Sequence, residues 1–110
     1  MNQNDIFLKL FRVLESRRNE SPDSSYVASL MLKGTEKINS KILEEAGEVA
    51  EAALEEDREH LVYEICDLLF HTFVMASYKG IALDDIKKEL ERRFGKSGIT
   101  EKREREKHAE

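Results

Sequence analysis

The sequence predicts an all-α bundle, and three observations lead to that prediction. The 110 residues include one proline and five glycines, which leaves long stretches without helix-breaking residues. Apolar residues recur at spacings of three and four, as on one face of a helix, and no segment shows the alternation typical of strands. A chain of this length forms one small domain with a thin core, so a second subunit is expected to complete the bundle.

The first two predicted helices are short. Helix one is predicted behind Asp5, a suitable N-terminal cap, with an apolar face within residues 6–14. A serine-rich loop that contains the proline follows at residues 21–25, and a short apolar stripe then predicts helix two over 26–33. Gly34 is expected to end this helix.

Two long helices come next. Thr35 is expected to cap helix three, which runs to an acidic turn at residues 55–57. Helix four is predicted over 58–78 and is stopped by Gly80. The predicted inner face of helix three consists of Ile38, Ile42, Ala46, Val49 and Ala53. Because the turn between the two helices is short, they must pack antiparallel.

The C-terminal part of the chain is increasingly polar. Helix five is predicted over 83–94 and ends before Gly95. Between 96 and 110 only two residues are hydrophobic, so this segment has almost nothing to bury. It is predicted to be a mobile tail unless a ligand or partner orders it. The expected organisation is therefore one domain over 1–95 followed by a charged tail over 96–110.

Composition and charge exclude several classes of protein. With 18 basic and 23 acidic residues the net charge is -5, so the chain is not a polycation that coats nucleic acid. The N-terminus lacks the features of a signal peptide, and the sequence has no run of 18 apolar residues, which is the length needed to span a bilayer. The single cysteine, Cys66, cannot form an intramolecular disulfide. We therefore expect a cytoplasmic protein that acts without nucleic acid or membrane.

Helix four combines apolar surface with one charged stripe. Its side chains between residues 61 and 76 are apolar on nearly all sides, which predicts a buried helix. Glu64, Asp67 and His71 lie together within an arc of about 60°. Burial of unpartnered charge costs several kcal/mol per ion, so these acids require a compensating partner. His71 either orients Asp67 or is a core histidine satisfied by its neighbours, and His60 is expected on the surface.

The acids of helices three and four recur at helical spacing. Helix three has Glu44-Glu45-x-x-Glu48 and helix four has Glu64-x-x-Asp67, so each helix presents carboxylates on one face. Clustered carboxylates repel one another, and oxygen ligands without thiolates favour a hard cation, Mg²⁺ or Mn²⁺. A di-iron site is disfavoured because it requires Glu-x-x-His on two helices.

Helix three also carries basic residues beside its acids. Lys37 and Lys41 share an arc of about 60° with Glu44 and Glu48. A solvated helix face shows the same mixture of charges, worth roughly 0.2–0.5 kcal/mol per pair. For this helix alone that is the favoured interpretation, and the chain would then be a non-enzymatic helical interaction protein. The acids on the otherwise apolar helix four argue against it.

These motifs, in this order, resemble the MazG-related all-α nucleotide pyrophosphatase superfamily, which has Glu-Glu-x-x-Glu on one helix and Glu-x-x-Asp on the next. Within it, the chain is most similar to the phosphoribosyl-ATP pyrophosphatase family, the second enzyme of histidine biosynthesis. The stretches that carry the resemblance are Ser25-Tyr26 with Leu30, Gly34-x-x-Lys37-Ile38-x-x-Lys41-x-x-Glu44-Glu45-Ala46, Asp67-Leu68-Leu69-Phe70-His71, and Arg93-x-x-x-Ser97-Gly98-x-x-Glu101-Lys102.

The resemblance implies Mg²⁺-dependent hydrolysis of phosphoribosyl-ATP to phosphoribosyl-AMP and pyrophosphate by a MazG-like helical homodimer. All five acids would be catalytic residues, with Glu44 orienting or activating water. The implied metal ligands are Glu45, Glu48, Glu64 and Asp67. The implied phosphate ligands are Lys37, Lys41, Arg93, Ser97, Gly98 and Lys102.

A MazG-like housecleaning enzyme that acts on nucleoside triphosphates would share this metal site. A substrate with an additional ribose phosphate needs a further anion site. Arg93, Ser97, Gly98 and Lys102 can supply one through positive charge, a hydroxyl and a close backbone N–H. This C-terminal motif therefore favours phosphoribosyl-ATP over a plain nucleotide.

Overall fold

In the computed structural model, which describes residues 5–94 and 98–109, the chain is helical along most of its length. No strand occurs in those two ranges, so the predicted all-α class is confirmed. The helices are α1 (Ile6–Arg17), α2 (Tyr26–Lys33), α3 (Thr35–Ala52), α4 (Arg58–Tyr78), α5 (Leu83–Phe94) and α6 (Gly98–Ala109).

The chain divides into two compact units, and the division falls between Gly80 and Ile81. The first unit contains α1 to α4 and the acids of the predicted site. The second contains α5 and α6. The predicted boundary between residues 95 and 96 lies inside the second unit and stays a prediction.

Side-chain caps fix where three of the helices begin. The Asp5 carboxylate accepts from the N–H groups of Phe7 and Leu8 at 3.0 and 3.3 Å. The Ser25 hydroxyl accepts from Ala28 N at 3.1 Å, and the Asp57 carboxylate accepts from His60 N at 3.1 Å. Each bond satisfies an N–H that the first turn of a helix leaves without an intrahelical acceptor.

The junction between α2 and α3 differs from the prediction. Thr35 was expected to cap α3, but it is the first helical residue, and Gly34 takes the cap position with φ of 88° and no side-chain bond. The same glycine ends α2, since its N–H donates to the Leu30 carbonyl at 3.0 Å. A residue with this positive φ is normally glycine, so one residue both ends α2 and starts α3.

The core of the first unit lies where α1 and α2 pack against the α3–α4 pair. The buried apolar side chains include Phe11, Leu14, Val27, Leu30, Ile38, Phe73 and Val74. The rings of Phe11 and Phe73 lie 5.0 Å apart and join α1 to α4. At the end of α4, the Arg18 guanidinium donates to the Ser77 carbonyl, and the Ser77 hydroxyl donates to Glu15 at 2.7 Å. These contacts hold α1 on the C-terminal turn of α4.

The burial of α4 is the main departure from the sequence-based prediction. The helix was expected to be buried on nearly all sides, yet Val62, Ile65 and Leu69 are 52%, 41% and 39% exposed. Two residues of its charged stripe are buried along with apolar residues of its C-terminal half, Glu64 being only 6% and His71 only 4% exposed. Within a single chain the acids therefore face α3, and much of the apolar surface faces outward.

The inner face of α3 is shifted in the same way. Ile38 is buried as predicted, whereas Ala46 and Ala53 are exposed and Glu45 and Ala52 are buried. Apolar periodicity locates a buried face only when that face is apolar. Here the buried face carries an acid, so the prediction was correct for Ile38 and wrong for Ala46 and Ala53.

By length and composition alone, α4 could cross a membrane, with a mean hydropathy of 1.2 over its most apolar window. Core helices of soluble proteins meet the same criterion, so one such helix is weak evidence. Glu64 and Asp67 lie within α4, and each charged residue near a bilayer centre costs about 2.5 kcal/mol or more.

The segment predicted to be a mobile polar tail contains a helix. The α6 helix runs over Gly98–Ala109 although it has almost no apolar side chains. Glu, Lys and Arg have high helix propensity, which the tail prediction neglected in favour of burial. Arg92 lies 3.7 Å from Glu104, so charge pairing links α5 to α6.

Candidate active site

The antiparallel α3–α4 pair gathers the acids that were selected from the sequence. Ligand oxygens of Glu45, Glu64 and Asp67 lie within 4.8 Å of one another, and so do those of Glu44, Glu45 and Glu48. Glu45 belongs to both groups and joins them. The i, i+3 spacing on each helix and the short turn at 53–57 together produce this acid cluster. These five residues form the acid cluster.

Two members of the acid cluster are deeply buried and incompletely hydrogen-bonded. Glu45 is 5% and Glu64 6% exposed, and both Oε2 atoms lack a hydrogen-bond partner, alone among buried side-chain polar atoms in the described residues. A buried polar atom without a partner costs about 1–3 kcal/mol, more when it is charged. The donor set consists only of carboxylate oxygens, which suits a hard divalent cation. These residues could therefore hold a metal ion.

Two acids of the cluster have raised pKa values. Burial raises the pKa of Glu45 to about 7, and the nearby carboxyl groups of Glu48 and Asp67 add to the rise. Burial also raises the pKa of Glu64, again with a contribution from Glu48. Both shifts reflect acids that ionise less readily than usual when no cation is bound.

A basic side chain contacts each of the two buried glutamates from the preceding turn. Lys41 Nζ lies 3.0 Å from Glu44 Oε2 and 3.8 Å from Glu45 Oε1. On α4, His60 Nε2 lies 3.3 Å from Glu64 Oε1, and its Nδ1 lies 2.9 Å from Glu55 Oε2. The hydrogen bond to Glu55 raises the pKa of His60. His60 was expected on the surface, and its contact with Glu64 was not predicted, although the spacing of four residues could have indicated it.

Tyr26 and His71 connect α2 to the acid cluster. Tyr26 Oη lies 2.8 Å from His71 Nε2, and His71 Nδ1 lies 2.8 Å from the backbone carbonyl of Asp67. A carbonyl only accepts a hydrogen bond, so Nδ1 of the neutral ring is the donor. Nε2 then accepts a hydrogen bond from the Tyr26 hydroxyl. His71 is therefore buried and bonded to Tyr26 and to the backbone of Asp67, with no bond to the Asp67 carboxylate, which favours the second of its two predicted roles, a core histidine satisfied by its neighbours. Tyr26 supported the resemblance above, but its contact with His71 was not foreseen.

The surroundings of Tyr26 also place it beside the acids. Burial raises the pKa of Tyr26, and the charges of Glu45, Glu44 and Asp67 raise it further while Lys41 lowers it. Its ring stacks on Phe70 with centroids 6.4 Å apart. A hydroxyl therefore lies near the carboxylates of Glu44, Glu45 and Asp67.

The other residues of the predicted phosphate site lie on α3 and in the second part of the chain. Lys37 is exposed on α3, one turn before Lys41. In the second unit, Arg93 Nε lies 3.2 Å from Glu89, and Arg92 and Arg93 together lower the pKa of Glu89 to about 2. Gly98 is the first residue of α6, Lys102 is exposed on it, and Ser97 lies outside the described residues. The roles assigned to these residues stay predictions.

A comparison with family models decides the family. The model described as phosphoribosyl-ATP pyrophosphohydrolase matches residues 7–94, which include the whole acid cluster. The chain belongs to this family. The resemblance inferred from the motifs is therefore confirmed.

Individual members of the phosphoribosyl-ATP pyrophosphohydrolase family match nearly the whole chain. The phosphoribosyl-ATP pyrophosphatase of Geobacter metallireducens is 49% identical over 97% of this chain and 99% of its own length. The protein of the same name from Hydrogenovibrio crunogenus is 47% identical over 96% of both chains. That of Clostridium acetobutylicum is 43% identical over 96% of this chain and 94% of its own. The similarity thus extends beyond residue 94 into the predicted tail.

Proposed function

We propose that the chain is a phosphoribosyl-ATP pyrophosphatase. It would hydrolyse phosphoribosyl-ATP between the α and β phosphorus atoms, release pyrophosphate and phosphoribosyl-AMP, and so perform the second step of histidine biosynthesis. Family membership and the names of near full-length relatives support the substrate. The observation that carries the chemistry is the pair of buried glutamates on facing helices, each with an oxygen that lacks a partner.

The residues that would hold the metal are Glu45, Glu48, Glu64 and Asp67. Mg²⁺, or Mn²⁺ in its place, would neutralise triphosphate charge and polarise the attacked phosphorus when bound. Two observations support this ligand set. Oxygens of Glu45, Glu64 and Asp67 lie within 4.8 Å of one another, and Glu45 lies equally close to Glu48. Two Oε2 atoms, those of Glu45 and Glu64, are buried without a partner. Without a cation, like charges and burial oppose ionisation of Glu45 and Glu64.

Glu44 and Lys41 would act at the solvent side of the acid cluster. Glu44 is exposed and pairs with Lys41 at 3.0 Å, so its carboxylate lies where water and substrate arrive. It is therefore suited to orient or activate the attacking water. The Lys41 ammonium can exchange part of its contact with Glu44 for a phosphate oxygen, since both ligands are anionic oxygens.

We also propose that the enzyme is a homodimer that requires neither nucleic acid nor a membrane. The apolar residues on the outer face of α4, Val62, Ile65 and Leu69, support the dimer because they form one stripe at helical spacing. Large exposed apolar patches on a chain of this size mark association sites. A second copy would bury them and enlarge the thin core.

The direct test is to incubate the purified chain with phosphoribosyl-ATP and with the common nucleoside triphosphates. We expect phosphoribosyl-AMP and pyrophosphate from phosphoribosyl-ATP in Mg²⁺, and no turnover in EDTA. Equal or faster hydrolysis of plain nucleoside triphosphates would identify a housecleaning enzyme instead. Turnover that persists in EDTA would contradict the metal site.

Two substitutions test the ligands individually. Glu48→Gln and Asp67→Asn keep the shape of each side chain but remove a ligand charge, so each should lower kcat by about 10²-fold or more. Glu51→Gln, at an exposed position on α3 three residues after Glu48 but outside the cluster, is the matched control. Rates like those of the unmodified enzyme in both variants would contradict the assignment.

A further inference from the structure

The two buried glutamates of the acid cluster are held in the same way. Oε1 of Glu45 faces Lys41 and Oε1 of Glu64 faces His60, in both cases from a basic residue four positions earlier. Oε2 of each glutamate is buried without a partner. One oxygen of each carboxylate therefore meets a cationic or donor group at the edge of the cluster, and the other is left for a ligand inside it.

We propose that His60 is a positioning residue of the metal site: it holds Oε1 of Glu64 from outside and so directs Oε2 toward the metal. This inference rests on the proposed function, which places a divalent cation at the acid cluster. The role is that of a group behind the ligand, which fixes the ligand's orientation without touching the metal.

The ring of His60 is itself fixed on its far side. Its Nδ1 contacts Glu55 at 2.9 Å while Nε2 contacts Glu64 at 3.3 Å, so both nitrogens are engaged. Glutamate has three rotatable side-chain bonds, and holding it in one conformation before the metal arrives lowers the entropy lost on binding. The chain Glu55–His60–Glu64 thus provides the preorganisation that a metal ligand needs.

Helix stability does not account for a histidine at this position. His60 is the third residue after the cap Asp57, where a Glu or Gln usually completes the cap. A cationic side chain in the first turn is also opposed by the helix dipole, which favours acids there. A role as a donor to Glu64 would explain why a histidine occupies this position.

Lys41 is the less rigid counterpart of His60. Its contact with Glu45 is longer, 3.8 Å, and its ammonium lies closer to the exposed Glu44. A flexible four-carbon chain can turn toward substrate phosphate, whereas an imidazole held at both nitrogens cannot. The two basic residues therefore have different roles: His60 holds the metal ligand Glu64, and Lys41 can bind the substrate.

The test measures Mn²⁺ binding to the full chain by titration calorimetry and by electron paramagnetic resonance, without substrate. We expect His60→Ala to raise the Mn²⁺ dissociation constant about 10–100-fold, the usual effect of removing a group that orients a ligand. His60→Gln should have an intermediate value because its amide can donate to Glu64 but cannot also engage Glu55. Lys88→Ala removes an exposed i, i+4 ion pair with Asp84 elsewhere and should bind like the parent.

The direction of the change in Mn²⁺ affinity distinguishes a positioning role from a purely electrostatic one. If His60 acted only as a nearby positive charge, its removal would relieve repulsion of the metal and tighten binding. Unchanged or tighter Mn²⁺ binding by His60→Ala, with helix content retained by circular dichroism, therefore overturns the proposal. A parent chain that binds no Mn²⁺ overturns the metal site of the proposed function as well, so the two failures are distinguishable.

Discussion

At the scale of single residues, the unusual feature is that acids occupy interior positions while nearby leucines and valines lie outside. Glu45 and Glu64 are more buried than Leu69 on the same helix pair. They could be selected as candidate ligands from spacing alone, since i, i+3 pairs share a face on any helix. Which oxygen of each carboxylate lacks a partner could not be predicted, because that depends on how Lys41 and His60 pack against the two glutamates. Residue types identify possible metal-ligand atoms, but the contacts of those atoms depend on the fold.

The burial of Glu45 predicts an unusual pH dependence for the metal-free chain. Its pKa is about 7 when folded against 4.5 ordinarily, so folding takes up a proton between these values. Stability contributed by protonated Glu45 is thus fully present below pH 4.5 and is lost as the pH rises through 7. In EDTA at pH 8, Glu45→Gln should melt higher than the parent, by about 4–8 °C for each kcal/mol gained.

Calorimetric melting curves from pH 5 to pH 8 check this expectation, and Glu44→Gln on the exposed side is the control that should follow the parent. Addition of Mg²⁺ should reverse the order, because only the parent keeps the full ligand set. A variant that melts below the parent in EDTA at pH 8 would show that the buried charge is already compensated.

The contact between Tyr26 and His71 predicts a loss of stability when the hydroxyl is removed. Tyr26→Phe leaves Nε2 of the buried His71 without its donor, which should cost about 1–3 kcal/mol. Tyr63→Phe on α4 removes a hydroxyl from a side chain that is mostly exposed, so it should change the free energy of unfolding little. Urea unfolding of both variants supplies the measurement. Equal stabilities would mean that water replaces the Tyr26 hydroxyl.

At the scale of helices, the sequence predicted where α1, α2, α4 and α5 lie because their ends carry strong local signals. Asp5 caps α1 as expected, and Gly80 follows the last turn of α4. Ser25 and Asp57 cap α2 and α4 from segments that were predicted only as a loop and an acidic turn. Two features were not accessible to this reasoning. The α6 helix lacks an apolar face, so periodicity gives no sign of it. Thr35 has a good side chain for a cap, but the conformation of Gly34 starts α3 one residue earlier.

The two glycines at and within α3 should respond to alanine in opposite ways. Gly34→Ala places a Cβ at φ of 88° and 3.4 Å from the Tyr78 hydroxyl, so it should cost about 1–3 kcal/mol. Gly47→Ala lies within the helix with nothing within 4 Å of the added carbon, and it should gain up to about 1 kcal/mol. Chemical denaturation measures both. A neutral Gly34→Ala would contradict the dual role of this residue as the end of α2 and start of α3.

At the scale of the whole molecule, apolar composition predicted how much surface must be covered but not what covers it. The analysis of α4 assumed that every apolar side chain packs within the chain. Val62, Ile65 and Leu69 instead remain on the surface, as does Leu43 on α3. Amino-acid sequence specifies a hydrophobic surface equally well whether its partner is the same chain or another copy. Association is therefore the step that sequence periodicity leaves open.

This surface leads to the last prediction, that the enzyme sediments as a dimer of 12.7 kDa chains and that one charge on the outer face of α4 dissociates it. Leu69→Lys places an ammonium in the exposed apolar stripe, where burial against a second copy would leave it without a partner. Leu54→Lys changes a residue that is 89% exposed after the end of α3 and should stay dimeric. Sedimentation equilibrium at micromolar concentration distinguishes the two. A monomeric parent would mean that the stripe on α4 has another partner, and it would remove the explanation offered here for acids inside and leucines outside.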